Sequence, residues 1–335
     1  MRENPDENAQ MSYRDHPQMV GVDIGGTKVA AGFVNDGGAI SRFLRAPMNP
    51  KGTAEEGFAA VASVLDALLT DPAVGGAKLP IGVCAPGPLD PQTGVVLNPP
   101  NVPCWRNFPL TRELERRYGV TARLDNDANA AALAENLWGA GRGYRNVFYT
   151  CIGTGIGSGI VLDGRIFHGR TGSAAEGGHV TIDFHGPTCN CGKKGCIEAL
   201  ASGTAIARRA REAIFRDPES GAQLLAMANG TSTAIRSEMV GRAASAGDAL
   251  AEQILNDTIE FLAVWIGNIV DLLEPDVIIL GGGVSEMLRP HFSSLQSRLK
   301  NWCVNARCDQ IPLVPAHYGE NSGIAGGAAL CLVQA

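Results

Sequence analysis

Apolar residues in the first part of the chain fall in short runs closed by glycine. Met19–Ile24 reads as a strand, Gly25-Gly26-Thr27-Lys28 as a turn, and Val29–Val34 as a second strand. The period then changes. Phe58, Val61, Val64, Leu65, Leu68 and Leu69 recur at helical spacing, which predicts an amphipathic helix over Gly57–Leu69. Ile81–Cys84 is a short buried strand stopped by Pro86-Gly87-Pro88. Pro109–Tyr118 reads as a helix closed by Gly119, and Val120–Leu124 as a strand. Asn126 or Asp127 then starts an Ala-rich helix reaching about Trp138. A second strand–turn–strand unit follows: Val147–Ile152, the loop Gly153–Gly159, and Ile160–Leu162. It echoes the unit near residue 25 and suggests a duplicated two-lobe architecture. Past residue 196 the pattern is helical, most clearly over Ile197–Ala213 and Gly247–Leu273. Asp276–Leu280 is a buried strand leading into Gly281-Gly282-Gly283 and a further helix, and Asn321–Val333 is a small-residue helix. Strands and helices alternate, so the class is α/β.

With 335 residues the chain is long enough for about two domains. Its 28 Lys and Arg against 34 Asp and Glu give a net charge of −6, which offers no basic footprint for nucleic acid. No apolar run reaches 18 residues, so no membrane-spanning helix is expected. Met1–Gln18 is polar, without the apolar core of a signal peptide, and is expected to be a disordered leader within which Met11 is an alternative start. These features together point to the cytoplasm. There, nine cysteines do not suggest a disulfide framework.

Three of those cysteines lie within eight residues. His179, Cys189, Cys191 and Cys196 form H-x9-C-x-C-x4-C, one imidazole and three thiolates around a flexible turn. That set suits tetrahedral zinc and leaves no open position, so the metal is expected to be structural. The glycine loops carry a second kind of chemistry. Asp23-x-Gly25-Gly26-Thr27-Lys28 places an acid, a hydroxyl and an ammonium beside exposed backbone N–H groups able to cradle phosphate. Gly153-Thr154-Gly155 and Gly281-Gly282-Gly283 repeat the theme after apolar strands. Neither GxxxxGK[ST] nor a GxGxxG after the first strand is present, which excludes a P-loop and a dinucleotide fingerprint. Asp125-Asn126-Asp127 sits at a strand-to-helix turn. Asn126 or Asp127 is either a plain helix cap or, for Asp127, a general base for a substrate hydroxyl. Glu176 and Glu198 flank the metal motif. Zinc would therefore gather two carboxylates and an imidazole suited to the hydroxyls of a sugar.

Together, Asp23-Ile-Gly-Gly-Thr-Lys28, Leu124-Asp-Asn-Asp-Ala-Asn-Ala-Ala130, Ile152-Gly-Thr-Gly-Ile-Gly157, Ala175-Glu-Gly-Gly-His179 and Cys189-Asn-Cys-Gly-Lys-Lys-Gly-Cys-Ile-Glu198 resemble the ROK family of repressors, open reading frames and sugar kinases. The resemblance spans residues 19–333 in order. It implies an actin-like, hexokinase-type (ribonuclease H-like) fold of two α/β lobes, with an interdomain cleft and a structural zinc loop over 179–198. The expected division is a small lobe from 19–128 plus 318–335 and a large lobe from 129–317. The resemblance also implies ATP- and magnesium-dependent phosphorylation of a hexose, most like the bacterial glucokinases, with Asp127 as catalytic base. By position, Asn101, Asn126, Glu176, His179 and Glu198 would bind the sugar. Asp23, Gly25, Gly26, Thr27, Lys28 and Gly153, Thr154, Gly155 would face the phosphates. Gly281, Gly282 and Gly283 would approach the adenosine. A homodimer is a family expectation. N-acetylmannosamine, N-acetylglucosamine or fructose are alternative substrates, polyphosphate an additional donor, and a non-catalytic sugar sensor the rival class. The sensor is disfavoured by Asp127 and by the absence of a DNA-binding helix-turn-helix before Asp23. A zinc hydrolase is disfavoured by the closed ligand set. One departure stands out: the family places a bulky apolar residue before Gly-His, and here that position is Gly177.

Overall fold

The structure, a computed structural model, describes residues 18–333. The expected leader lies outside the described residues except for Gln18, whose N–H already donates to the Val34 carbonyl. The chain forms two compact units, one running up to Trp138 and resuming at Asn321, the other Gly139–Glu320.

The first unit holds β1 (Met19–Ile24), β2 (Lys28–Val34), β3 (Ile40–Pro47), α1 (Ala54–Leu69), β4 (Ile81–Ala85), the hairpin β5 (Leu89–Asp90) and β6 (Val95–Val96), α2 (Leu110–Tyr118), β7 (Ala122–Asn126) and α3 (Asp127–Leu137). Its main sheet runs β3-β2-β1-β4-β7. The β1/β2 and β2/β3 pairs are antiparallel, and β1/β4 and β4/β7 parallel. Alternation along β1 divides its side chains. Val20, Val22 and Ile24 enter a core with Val61, Leu65 and Leu68 of α1. Met19 instead joins Ile324 and Ala328 of the C-terminal helix Ser322–Leu330, on the opposite face. That helix lies against the sheet almost without spacers. A Cβ on Gly21 would overlap the Ile324 carbonyl, and one on Gly82 the Gly327 carbonyl. Its small residues also let α3 approach, with Gly326 against the backbone of Ala130 and Ala131.

The second unit holds β8 (Val147–Ile152), β9 (Ile156–Leu162), β10 (Arg165–Ile166), α4 (Ile197–Ala201), α5 (Gly203–Arg216), α6 (Ala222–Met227), α7 (Ser237–Ser245), α8 (Ala249–Leu273), β11 (Val277–Gly281), α9 (Gly283–Leu288), α10 (Phe292–Arg298) and β12 (Leu313–Pro315). Its sheet runs β10-β9-β8-β11-β12, with two antiparallel pairs followed by two parallel ones. This is the strand order and sense of the first unit's main sheet, so the echo between the two glycine turns extends to whole sheets. Phe148, Ile152, Ile259, Leu262, Trp265, Ile278 and Leu280 anchor its core.

Several expected boundaries shift for local reasons. The first unit extends to Trp138 instead of ending at 128, because α3 packs on the C-terminal helix; the chain re-enters it at Asn321, not at 318. The helix expected over Ile197–Ala213 is two helices. Ser202 is extended (φ −69°, ψ 166°) and caps α5 through Ala205 N–H, which breaks the run. The strand expected at Val120–Leu124 is β7, two residues later, and β9 starts at Ile156, inside the loop expected to reach Gly159. Helix α1 starts at Ala54, ahead of Gly57, because Thr53 and Glu56 form a reciprocal cap.

Candidate active site

In the first unit, β7 gives way to α3 at the carboxyl end of the parallel β4/β7 pair, where α/β sheets take ligands. Asp125 is buried, at 3% exposure, and ties the turn together. Its Oδ1 accepts from Asn126 N–H at 2.7 Å and from Asn129 Nδ2 at 3.1 Å. Asn126 is the helix cap: its Oδ1 accepts from the N–H groups of Ala128 (2.9 Å) and Asn129 (3.4 Å). The amide NH2 is what it has left to offer a ligand. Asp127 is the first helical residue and is exposed, with one carboxylate oxygen accepting from Ala128 N–H at 2.8 Å. The cap and the base are therefore different residues.

Asp23 stands next to this turn in the sheet, since β1 pairs with β4 and β4 with β7. It faces the C-terminal helix at Gly323, where a side chain would overlap its carboxylate. The Cys84 thiol is fully buried and lies 3.7 Å from Asp23 Oδ1 and 3.2 Å from the Gly323 carbonyl, to which it donates. Burial raises the Asp23 carboxyl above its ordinary range, against the pull of Cys84, Lys28 and Arg45. Burial, reinforced by the charges of Asp23 and Asp127, pushes the Cys84 thiol well up, so it stays protonated. In the turn itself, Gly25 N–H donates to the Lys28 carbonyl at 2.9 Å, and Thr27 and Lys28 are exposed. Neither Gly25 nor Gly26 adopts a positive φ. Gly26 is required for a different reason: a Cβ there would lie 2.8 Å from the Asn101 carbonyl oxygen. The structure thus brings Asn101 against the first glycine turn.

In the second unit, Gly153-Thr154-Gly155 links β8 and β9, again without positive φ. The start of α5 pins it: Gly203 N–H donates to the Gly153 carbonyl at 2.8 Å, and the Thr204 hydroxyl to the Thr154 carbonyl at 2.8 Å. A cavity of about 430 Å³ opens here, lined among others by Gly153, Thr154, Arg211, Ser237 and Gly283. Of the third glycine group only Gly283 reaches it. Gly281 ends β11, and Gly282, at φ 89°, packs its backbone on the Ile152 carbonyl. The contributions of Gly203, Thr204, Arg211 and Ser237 escape the motif reading, although Ser202-Gly203-Thr204 is another glycine flanked by hydroxyls at a helix start.

The candidate metal motif closes on itself. The donor atoms of His179, Cys189, Cys191 and Cys196 lie within 4.8 Å of one another. Cys191 Sγ is 3.7 Å from Cys196 Sγ, and Cys189 Sγ is 3.6 Å from His179 Nδ1. Zinc bonds of about 2.3 Å to sulfur and about 2.0 Å to nitrogen give tetrahedral edges of roughly 3.5–3.8 Å, so the cluster has the dimensions of that ion. Nδ1 faces the cluster, which leaves Nε2 of His179 for another partner. Glu198 follows Cys196. Its Oε2 accepts from Ile156 N–H at 2.9 Å, and its Oε1 lies 4.0 Å from His179 Nδ1. Gly155 makes room for it: a Cβ there would stand 2.5 Å from Glu198 Oε2. Glu176 is exposed and precedes the tight turn Gly177–His179.

The profile described as ROK family matches residues 19–334. A glucokinase of Thermotoga maritima is 34% identical over 315 residues, covering 93% of this chain and 96% of that protein. A solved ROK family glucokinase from Streptomyces griseus, in complex with glucose and AMPPNP, superposes with a TM-score of 0.77 at 33% identity, over 93% of this chain and 98% of that one. A ROK hexokinase from Thermus thermophilus superposes with a TM-score of 0.76 at 33% identity, over 93% and 97% of the two chains.

Proposed function

The chain belongs to the ROK family, and on that premise we propose that it is a glucokinase: it transfers the γ-phosphoryl group of ATP to the 6-hydroxyl of glucose. The observation that carries the reading is Asp127, an exposed carboxylate fixed by its own helix start beside Asn126. In the reaction Asp127 takes the proton of the 6-hydroxyl as that oxygen bonds to the γ-phosphorus. The bond to the bridging oxygen of ADP breaks, and ADP leaves with the electron pair. Asn101, Asn126, Glu176, His179 Nε2 and Glu198 grip sugar hydroxyls; carboxylates accept from them and amides donate. Asp23, Gly25, Gly26, Thr27 and Lys28 serve the phosphates, together with Gly153, Thr154 and Gly155. The cavity at Gly283 takes the adenosine. The similarity to glucokinases supports glucose over fructose or N-acetylated hexoses.

Zinc fits His179, Cys189, Cys191 and Cys196, and four protein ligands give it a structural role holding His179 and Glu198 in place. Magnesium would accompany ATP and offset phosphate charge, and Asp23 would hold its hydration water. Among the described residues no helix is long and apolar enough to cross a membrane, and we place the enzyme in the cytoplasm as a homodimer without nucleic-acid partners.

The test is ADP release from magnesium-ATP over glucose, mannose, fructose, N-acetylglucosamine and N-acetylmannosamine, with polyphosphate as a second donor. The reading predicts the highest kcat/KM for glucose with ATP. Preference for an N-acetylated sugar would move the substrate. No turnover on any sugar, with zinc bound, would favour the sensor.

A further inference from the structure

Gly177 is buried where a side chain has no room, and the structure shows what occupies that space. A Cβ on Gly177 would overlap the Ser158 hydroxyl and lie 3.2 Å from Cζ2 of Trp265. Trp265 is fully buried on α8, edge-on to Phe148 at 5.6 Å. Ser158 lies on β9, at 5% exposure. Its hydroxyl donates to the Ala175 carbonyl at 2.7 Å and accepts from Gly177 N–H at 3.0 Å. These two backbone groups flank one residue, Glu176. Ala175 is held at φ 65°, a left-handed conformation that a non-glycine residue adopts only when its surroundings impose it.

We propose that Ser158 is a positioning residue for sugar binding: its hydroxyl clamps the backbone on both sides of Glu176 and aims that carboxylate, and Gly177 is glycine so that the clamp can close. A side chain at 177 and a hydroxyl at 158 compete for one space, so the two residues act as a pair. This hydroxyl ties the turn to β9, on which Gly178 also packs its backbone against the Ile156 carbonyl, and the same turn delivers His179 to the metal cluster two residues later. The inference rests on the reading of Glu176 as a ligand of glucose.

The experiment is a mutant cycle in the full-length, zinc-loaded enzyme, with Ser158→Ala, Glu176→Ala and the double variant, read as KM for glucose and for ATP separately. Ser158→Ala removes both hydrogen bonds and adds no bulk. The expected result is a rise of about tenfold in KM for glucose with KM for ATP within twofold, the size expected when one buried hydroxyl bridge is lost. In the Glu176→Ala background the same change should raise KM for glucose less than twofold further, because its effect passes through Glu176. Equal effects on both KM values, or full additivity, would reduce Ser158 to a packing residue and overturn the proposal. If Glu176→Ala leaves KM for glucose unchanged, the assignment of Glu176 fails first. If only Ser158→Ala is silent, the clamp alone fails. Gly177→Ala supplies an independent arm. It should raise KM for glucose in the parent, where the methyl meets the Ser158 hydroxyl, and should cost less in the Ser158→Ala background, where that hydroxyl is gone. An equal cost in both backgrounds would contradict the pairing.

Discussion

Replacing Cys191 by serine should separate the metal from the core. Cys191 is the exposed ligand of the four, 3.7 Å from Cys196 Sγ, and a serine oxygen does not replace a thiolate at that distance. Between residues 181 and 195 only Cys189 and Gly195 are buried, so little apolar area orders this loop. What remains is a few hydrogen bonds, such as Cys189 N–H to the Lys193 carbonyl at 2.7 Å, Gly195 N–H to the Pro187 carbonyl at 2.8 Å, and Lys193 Nζ to the His179 carbonyl at 2.7 Å. A structural zinc in a small peptide contributes about 10–16 kcal/mol. Loss of even about 3 kcal/mol of local stability raises the open population on the order of a hundredfold. Cys191→Ser should therefore lose zinc, and trypsin should cut at Lys193 or Lys194 far faster than in the parent. KM for glucose should rise at least tenfold, because His179 and Glu198 border the loop. The melting temperature should move by only a few degrees, since the second unit's core draws nothing from this loop beyond the partly buried Ile182. Metal content, limited proteolysis and sugar kinetics on one preparation test this. A zinc-free protein with unchanged glucose affinity and no new tryptic site would refute the scaffold role.

Asp23→Asn should trade activity for stability. Burial raises the Asp23 carboxyl above its ordinary value of 3.8, so the fold favours the protonated form. That contribution is complete below the unfolded value and is lost as pH rises through the raised folded value, leaving the ionised group a net cost at neutral pH. The variant should melt higher than the parent at pH 7, converge with it toward pH 4, and lose at least tenfold in kcat; a lower melting temperature at pH 7 would contradict the burial argument. Gly155→Ala places a methyl against Glu198 and should raise KM for glucose several-fold with zinc retained, whereas unchanged sugar kinetics would mean that Glu198 is not held where sugar binding needs it.

What the sequence made legible follows from how local each signal is. Strands β1 and β8 emerge with their observed ends because an apolar run meets glycine on one side and polar residues on the other. The candidate metal cluster is equally plain, since three cysteines in eight residues need no tertiary context. Strand β3 escapes the pattern: Ile-Ser-Arg-Phe-Leu-Arg-Ala-Pro is an edge strand that is mostly exposed, so no alternation marks it. The division of α4 from α5 hides in Ser202, which reads as mid-helix until its cap on Ala205 is seen. The glycines were legible as loops but not as to cause. Gly26 yields to Asn101 and Gly155 to Glu198, partners 75 and 43 residues away, and no periodicity reports that. Ser158 was invisible for the same reason, since its partners are backbone groups 17 and 19 residues on.

Whether Asp127 drives phosphoryl transfer to glucose is read from kcat for ADP release with glucose and magnesium-ATP in the parent and in Asp127→Asn, alongside their melting temperatures. The parent should turn over and the variant should lose a thousandfold or more, within the range that a positioned base contributes, with folding retained. A variant that keeps its turnover, or a folded parent that has none, would contradict that role.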